Sequence, residues 1–238
     1  MKSSYGQYCP LALAAELLCQ RWTMLVISRV IDGCTQFNEI HRGVPRISPS
    51  LLSQRLTQLE DAGLIYREKQ PGQKAYSYFL TEAGEALDPI IMNLAAWGQQ
   101  WARDMVTDDL DVGFLAWSMH LRIDSSAMPP GRTVIEFLFP NAPSDCRQFW
   151  LINENDKVDM CLKYPGFETD LLVKADILAF VEAWRGFRDL KVEIKKKTIV
   201  LEGPKTLQKD FPNWLMLSGL AQFARRKAGK EHDLALSK

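Results

Sequence analysis

Ser50, Ser53, Gln54 and Thr57 are four short, uncharged hydrogen-bonding residues at helical spacing, with Asp61 one turn further on. At 100° per residue they share one face, opposite an apolar arc of Leu52, Leu56 and Leu59 with Leu51 and Ala62 on its shoulder. A polar face of this kind suits hydrogen bonding to base edges in a major groove, whereas a merely solvated helix usually presents Glu and Lys. The charge around it agrees. Residues 41–76 hold Arg42, Arg46, Arg55, Arg67, Lys69 and Lys74 against Glu60, Asp61 and Glu68, a local excess of three positive charges in a chain whose formal net charge is zero. Such residues position a protein on phosphates rather than read sequence. The expected DNA-contacting set is therefore Arg46, Ser48, Ser50, Ser53, Gln54, Arg55, Thr57, Lys69 and Lys74. Arg55 lies beside the apolar arc, where its stem could also pack or its head pair with a carboxylate.

A second candidate for chemistry is Cys9. It precedes Pro10, a residue suited to the first position of a helix, so the thiol would sit at an N-cap where the helix dipole favours thiolate. Cys19 and Cys34 fall in apolar or turn contexts and read as structural. Five cysteines without a CxxC pair argue against a disulfide framework, and His41, His120 and His232 lack metal spacing. With no nucleophile elbow, phosphate loop or dinucleotide fingerprint, neither an enzymatic role nor a metal or cofactor is expected. The absence of an 18-residue apolar run or a signal-peptide layout predicts a cytoplasmic protein with no membrane partner.

The polar face needs a rigid support, and the flanking sequence supplies one. Ser48 is a plausible N-cap, Pro49 takes the first helical position, and Gly63 supplies a left-handed stop. Upstream, the spacing predicts one buried helix over Cys19–Asp32, with Trp22, Leu25, Val26, Arg29 and Val30 on one side, closed by Gly33. Thr35 should cap a short helix over 36–42 with Phe37 and Ile40 inward. Downstream, Leu64–Lys69 and Ala75–Leu80 read as strands joined by Gln70-Pro71-Gly72-Gln73-Lys74, a hairpin wing.

Cys9 to Trp101 resembles the HxlR-type branch of MarR-like transcriptional regulators. The resemblance rests on Cys9-Pro10, Arg21-Trp22-Thr23, Phe37-Asn38-Glu39-Ile40, Ile47-Ser48-Pro49, Leu52-Ser53-Gln54-Arg55-Leu56 and Leu80-Thr81-Glu82-Ala83-Gly84, in that order. It departs from the family at Ser50, where relatives often carry a long basic residue. The resemblance implies a winged helix-turn-helix, a homodimer on a palindromic operator in double-stranded DNA, and, by analogy with several relatives, a redox-sensing cysteine at Cys9.

A single long helix is expected from Thr81 to about Val106. Its stripe, Leu87, Ile90, Ile91, Leu94, Trp97, Trp101 and Met105, is more than one small domain can cover, and Gly98 would allow close approach beside the tryptophans. Either a second copy or the chain's own second half would cover it. Leu87, Ile91, Leu94, Trp97 and Trp101 are the dimerisation candidates.

A length of 238 residues favours two domains, here 1–107 and 108–238. After a short helix over Val112–Ile123 and the linker Asp124–Gly131, strands are expected at Thr133–Phe139, Arg147–Asn153, Val158–Tyr164 and Thr169–Lys174. A helix over Ile177–Trp184 capped by Asp176 follows, then strands at Lys191–Lys195 and Thr198–Glu202 around a solvated Lys195–Lys197 turn, and a helix near Pro204–Leu217. The fold class is α+β: an N-terminal winged helix-turn-helix with a long dimerisation helix, and a C-terminal α+β domain with a largely antiparallel sheet. The order of elements in the second half resembles sterol-carrier-protein-like domains, which implies a pocket for a hydrophobic small molecule. Of the 24 aromatic residues, 14 lie beyond residue 110, as a pocket would need and as an ordinary core would also show. Two functions are compatible with these features. One is a DNA-binding regulator with a ligand-responsive second domain; the other is a lipid or small-molecule carrier that uses the winged part to dimerise.

Overall fold

The computed structural model describes residues 4–69, 72, 75–142, 146–155 and 157–226. The chain forms two compact units, Met1–Leu94 and Ala95–Lys238. Among the described residues no single helix is long and apolar enough to cross a membrane.

In the first unit, α1 (Pro10–Leu18) begins at the expected Pro10, and the helix expected over Cys19–Asp32 is α2 (Thr23–Ile31), which starts four residues later after a break at 19–22. The break has a backbone cause: Trp22 stands at φ 79°, in the left-handed region that a bulky residue rarely enters, and α2 starts after it. The buried side of α2 is accordingly Thr23, Val26, Ile27 and Val30, while Leu25 is exposed. Helix α3 (Phe37–Gly43) is capped by Gln36 rather than Thr35, through a reciprocal box in which Glu39 Oε2 accepts from the Thr35 and Gln36 amides at 2.9 and 3.0 Å. Ile40 is fully buried and Phe37 half-buried. Helix α4 (Pro49–Asp61) follows expectation, with Ser48 Oγ accepting from the Leu51 amide and Gly63 at φ 70°. It packs on α2 through fully buried Leu52, Leu56 and Leu59.

Strands β1 (Ile65–Lys69) and β2 (Tyr76–Leu80) pair antiparallel, Ile65 opposite Leu80 and Lys69 opposite Tyr76. Of the segment between them only Gly72 and Ala75 are among the described residues, so Lys74 lies outside them. The long helix expected from Thr81 is two helices, α5 (Glu82–Glu85) and α6 (Asp88–Trp101). Thr81 caps the first through its hydroxyl, which accepts from the Gly84 amide at 3.2 Å and donates to Gly63 O at 2.6 Å. Gly84 is what lets α5 seat there, because a Cβ on it would lie 2.1 Å from the Leu64 carbonyl oxygen and 3.1 Å from Leu80. We therefore expect Gly84→Ala to destabilise the first unit by about 1 to 3 kcal/mol, lowering Tm by several degrees in calorimetry. Gly98→Ala on α6, where nothing lies within 4 Å, serves as the control and should not destabilise. Equal melting of both variants would show that the α5 backbone yields.

The second unit places five strands in the order β5-β4-β3-β6-β7: β3 (Thr133–Leu138), β4 (Gln148–Glu154), β5 (Lys157–Cys161), β6 (Leu171–Ala175) and β7 (Ile199–Glu202). Strands β3 and β6 run parallel, and the other pairs are antiparallel. One face, carrying Ile135, Phe137, Phe149, Leu151, Leu171, Val173 and Ile199, buries a core with α7 (Val112–His120), α8 (Ile177–Trp184) and α10 (Lys205–Trp214). The expected Asp176 cap on α8 is present, its carboxylate accepting from the Ala179 amide at 2.9 Å. The strand expected at Lys191–Lys195 is instead a helix, α9 (Leu190–Lys195), whose N-cap Asp189 accepts from the Val192 amide at 2.9 Å. Five residues of alternating polarity fit either period, and the cap decides. Lys195–Lys197 is accordingly the end of α9, with Lys197 at φ 61°, and not a hairpin turn.

Candidate nucleic-acid interface

The recognition surface starts from α4. Its three buried leucines fix the helix rotation, which leaves Ser50, Ser53, Gln54, Thr57 and Asp61 exposed on the opposite side. Among the described residues, Ser53 and Gln54 make no side-chain hydrogen bond within the chain. Ser50 Oγ lies 3.2 Å from Ser48 Oγ, so these two share a hydrogen bond at the tip of the helix while Ser48 caps it. Arg42, Arg46 and Lys69 are exposed around this face.

The turn between α3 and α4 is set by a residue that the sequence does not single out. His41 Nε2 lies 2.9 Å from the Ile47 carbonyl, the Ile47 amide donates to Val44 O at 3.1 Å, and Val44 and Ile47 are buried beneath them. The wing is tied to the same framework. Gln36 Nε2 donates to Ser77 Oγ at 2.6 Å, and the Tyr78 amide donates to Thr35 O at 2.8 Å. These bonds join residues some 40 positions apart, which no local pattern reveals.

Two basic residues have tasks other than the expected ones. Arg67 pairs with Glu60 of α4 at 3.2 Å and lies 5.0 Å from the Tyr76 ring, bracing the wing against the helix. Arg55 is drawn away from the polar face. Its Nε donates to Arg21 O at 2.9 Å, and its Nη1 donates to Gln20 Oε1 at 3.1 Å and to Gln58 Oε1 at 2.5 Å. Arg55, expected at the DNA or else packed or paired beside the apolar arc, is held by hydrogen bonds within the chain. The wing also exposes Tyr66 and Tyr76, 42 and 49 % accessible, which in the sequence read only as strand formers.

The α6 stripe divides. Leu87 is buried in the first unit and Ile91 is half-buried, so Leu87 is a core residue and not part of an intersubunit seam. Ile90, Leu94 and Trp97 are 57, 47 and 58 % exposed, and Trp101 is 38 % exposed beneath the Arg226 guanidinium. The other side of the helix's last turns belongs to the second unit. Buried Gln99 donates to Arg185 O at 3.0 Å and accepts from Arg185 Nε at 2.9 Å, and Arg225 Nη1 donates to Gln99 O at 3.2 Å.

Cys9 is exposed at the N-cap of α1, and Cys19, expected to be structural, is exposed at the C-terminal end of the same helix. Cys34 is buried as expected, and burial pushes its thiol up to about 11.

Comparison with known proteins matches this region. Residues 17–105 fit the family described as HxlR-like helix-turn-helix. The uncharacterized HTH-type transcriptional regulator YvaP of Bacillus subtilis is 33 % identical over 98 residues, 40 % of this chain and 91 % of its own. The HTH-type transcriptional regulator YodB of the same organism is 36 % identical over 95 residues, 39 % of this chain and 85 % of its own. The solved reduced form of YodB aligns at 34 % identity over 41 % of this chain and 97 % of that one, with a TM-score of 0.35. By the identity and coverage of its sequence matches to YvaP and YodB, the chain belongs to the HxlR-like helix-turn-helix family.

Proposed function

We propose that the protein is a dimeric, sequence-specific DNA-binding transcriptional regulator that reads a palindromic operator with α4 and takes a signal through its second unit or through Cys9. The observation that carries this reading is the exposed, uncharged tip of α4 set on three fully buried leucines. Ser48, Ser50, Ser53, Gln54 and Thr57 supply base-edge and sugar-phosphate hydrogen bonds, and Arg46, Lys69 and Lys74 supply phosphate contacts. The exposed Ile90, Leu94 and Trp97 support a helix-helix seam with a second copy, and Gly98, with nothing within 4 Å, leaves room for one. Two copies would set their recognition helices about one DNA turn apart.

The test is selection of bound duplexes from a random library, followed by titration of the selected and scrambled sequences. A palindromic consensus bound at least about 10³-fold more tightly than scrambled DNA is expected. Equal binding would sink the reading.

The sterol-carrier-like second unit is proposed as the effector module. An open cleft of about 510 Å³, lined by Gly186 to Lys191 and by Pro212, Leu215, Leu217 and Ala221, is of a size used for small molecules. The aromatic residues fill the core instead. Phe137, Phe149, Phe180 and Phe211 pack ring on ring at 4.7 to 6.2 Å, so their number does not favour the carrier alternative.

Cys9 is the second proposed input; YodB has been solved in diamide-treated and quinone-bound forms. Alkylation at pH 8 should modify exposed Cys9 and Cys19 and spare Cys34, whose raised pKa and burial leave almost no accessible thiolate. Cys9→Ser should retain DNA binding while losing its response to diamide. Persistence of the response in Cys9→Ser would remove Cys9 as the input.

A further inference from the structure

The geometry points to Arg55 as a positioning residue that sets the pose of the recognition helix by tying it to the turn between α1 and α2. This rests on the DNA-binding reading of α4. The hydrogen bonds form one continuous chain. Gln20 Nε2 donates to Glu16 O, in the last turns of α1, at 3.2 Å, while its Oε1 accepts from Arg55 at 3.1 Å. Arg55 Nε reaches the backbone oxygen of Arg21 at 2.9 Å, and Nη1 also holds Gln58 one turn along α4. One planar guanidinium thus fixes two points of the turn and one of the helix, a geometry that a lysine ammonium on a flexible stem does not reproduce.

The turn that receives these bonds is itself constrained. Trp22 holds a left-handed φ of 79°, and Arg21 stacks its guanidinium 5.1 Å from that ring. A bulky residue keeps such a conformation only where its surroundings enforce it. The bonds from Arg55 to Arg21 O and to Gln20 are part of that enforcement.

Helix α1, by contrast, has no fully buried residue, and Tyr8, Leu11 and Leu13 are 97, 76 and 54 % exposed. It is a loosely held element joined at its C-terminal end to the helix that reads DNA. A displacement of α1 reaches α4 through Gln20, Arg21 and Arg55, so base readout depends on residues that touch no base.

The test uses the full chain and the duplex obtained by library selection, with a scrambled duplex as reference. Arg55→Met is expected to lower the ratio of selected to scrambled affinity by about tenfold or more and to leave the salt slope unchanged, because every phosphate contact remains. Gln20→Leu, which alters the turn and leaves Arg55 and α4 in place, should lower the same ratio in the same direction. The double variant should match Arg55→Met rather than sum the two effects, since both act through one bond. Arg55→Lys should not restore the ratio. A salt slope that falls by about one unit in Arg55→Met and is rescued by Arg55→Lys would make Arg55 a phosphate contact and overturn the proposal. Additive effects, or an unchanged ratio in Gln20→Leu, would overturn it equally. If no duplex is selected at all, the DNA-binding reading fails instead, which is a separate result.

Discussion

Leu94→Glu combined with Trp97→Glu should convert the proposed dimer to a monomer at micromolar concentration. Both side chains stand about half exposed on one face of α6, three residues apart and in line with Ile90. Burial of side chains of this size contributes about 1.5 to 3 kcal/mol each. A twofold interface uses each residue twice, and about half of each side chain is already covered, so the four together amount to about 3 to 6 kcal/mol, or roughly 10² to 10⁴ in the dissociation constant. The substituted carboxylates add the cost of leaving water. Neither residue is buried in the chain, so the monomer should stay folded and Tm should fall only by what dimerisation contributes, and sedimentation velocity separates dissociation from unfolding. A dimer that survives both changes would place its seam elsewhere, with the exposed Tyr8 and, in α1, Leu11 next to be tested.

The second large effect is expected at the tip of α4. Gln54→Ala should weaken binding to the selected duplex by about 1 to 3 kcal/mol for each base that Gln54 reads. In a dimer the substitution removes this readout from both half-sites, at least about thirtyfold altogether. Ser53→Ala should act in the same sense and by less, because a hydroxyl cannot make the bidentate pair that an amide can. Scrambled DNA should be bound almost as before. Arg46→Ala provides the contrast, weakening both duplexes and flattening the salt dependence by about one unit of slope. If Gln54→Ala weakens both duplexes equally, Gln54 touches the DNA backbone and the base-reading assignment falls.

Much of the first unit was legible in the sequence because its signals are local. Ser48, Pro49 and Gly63 bound α4 where expected, and the spacing of Leu52, Leu56 and Leu59 fixed which face would be polar. The same holds for Asp176 at the start of α8 and for the short apolar runs that mark β3 and β4. In each case a cap, a stop or a period operates within a few residues of the element it shapes.

What the sequence did not decide are the features in which distant parts of the chain meet or compete. The helix expected from Cys19 starts only at Thr23, because Trp22 turns left-handed to seat α2. The long helix is divided into α5 and α6, and α5 is seated by Gly84 against the carbonyl of Leu64, some 20 residues earlier. Arg55 read as either a DNA contact or a side chain packed or paired beside the apolar arc, and only the arrival of Gln20 and Arg21 at its guanidinium makes it a brace. Burial alone separated Leu87, which is core, from Leu94 and Trp97, which are exposed, although all three belong to one apolar stripe. Propensity and periodicity act over one or two turns, whereas hydrogen bonds and packing choose their partners after the chain has folded back on itself, so the composition of the site is written locally and its geometry is not.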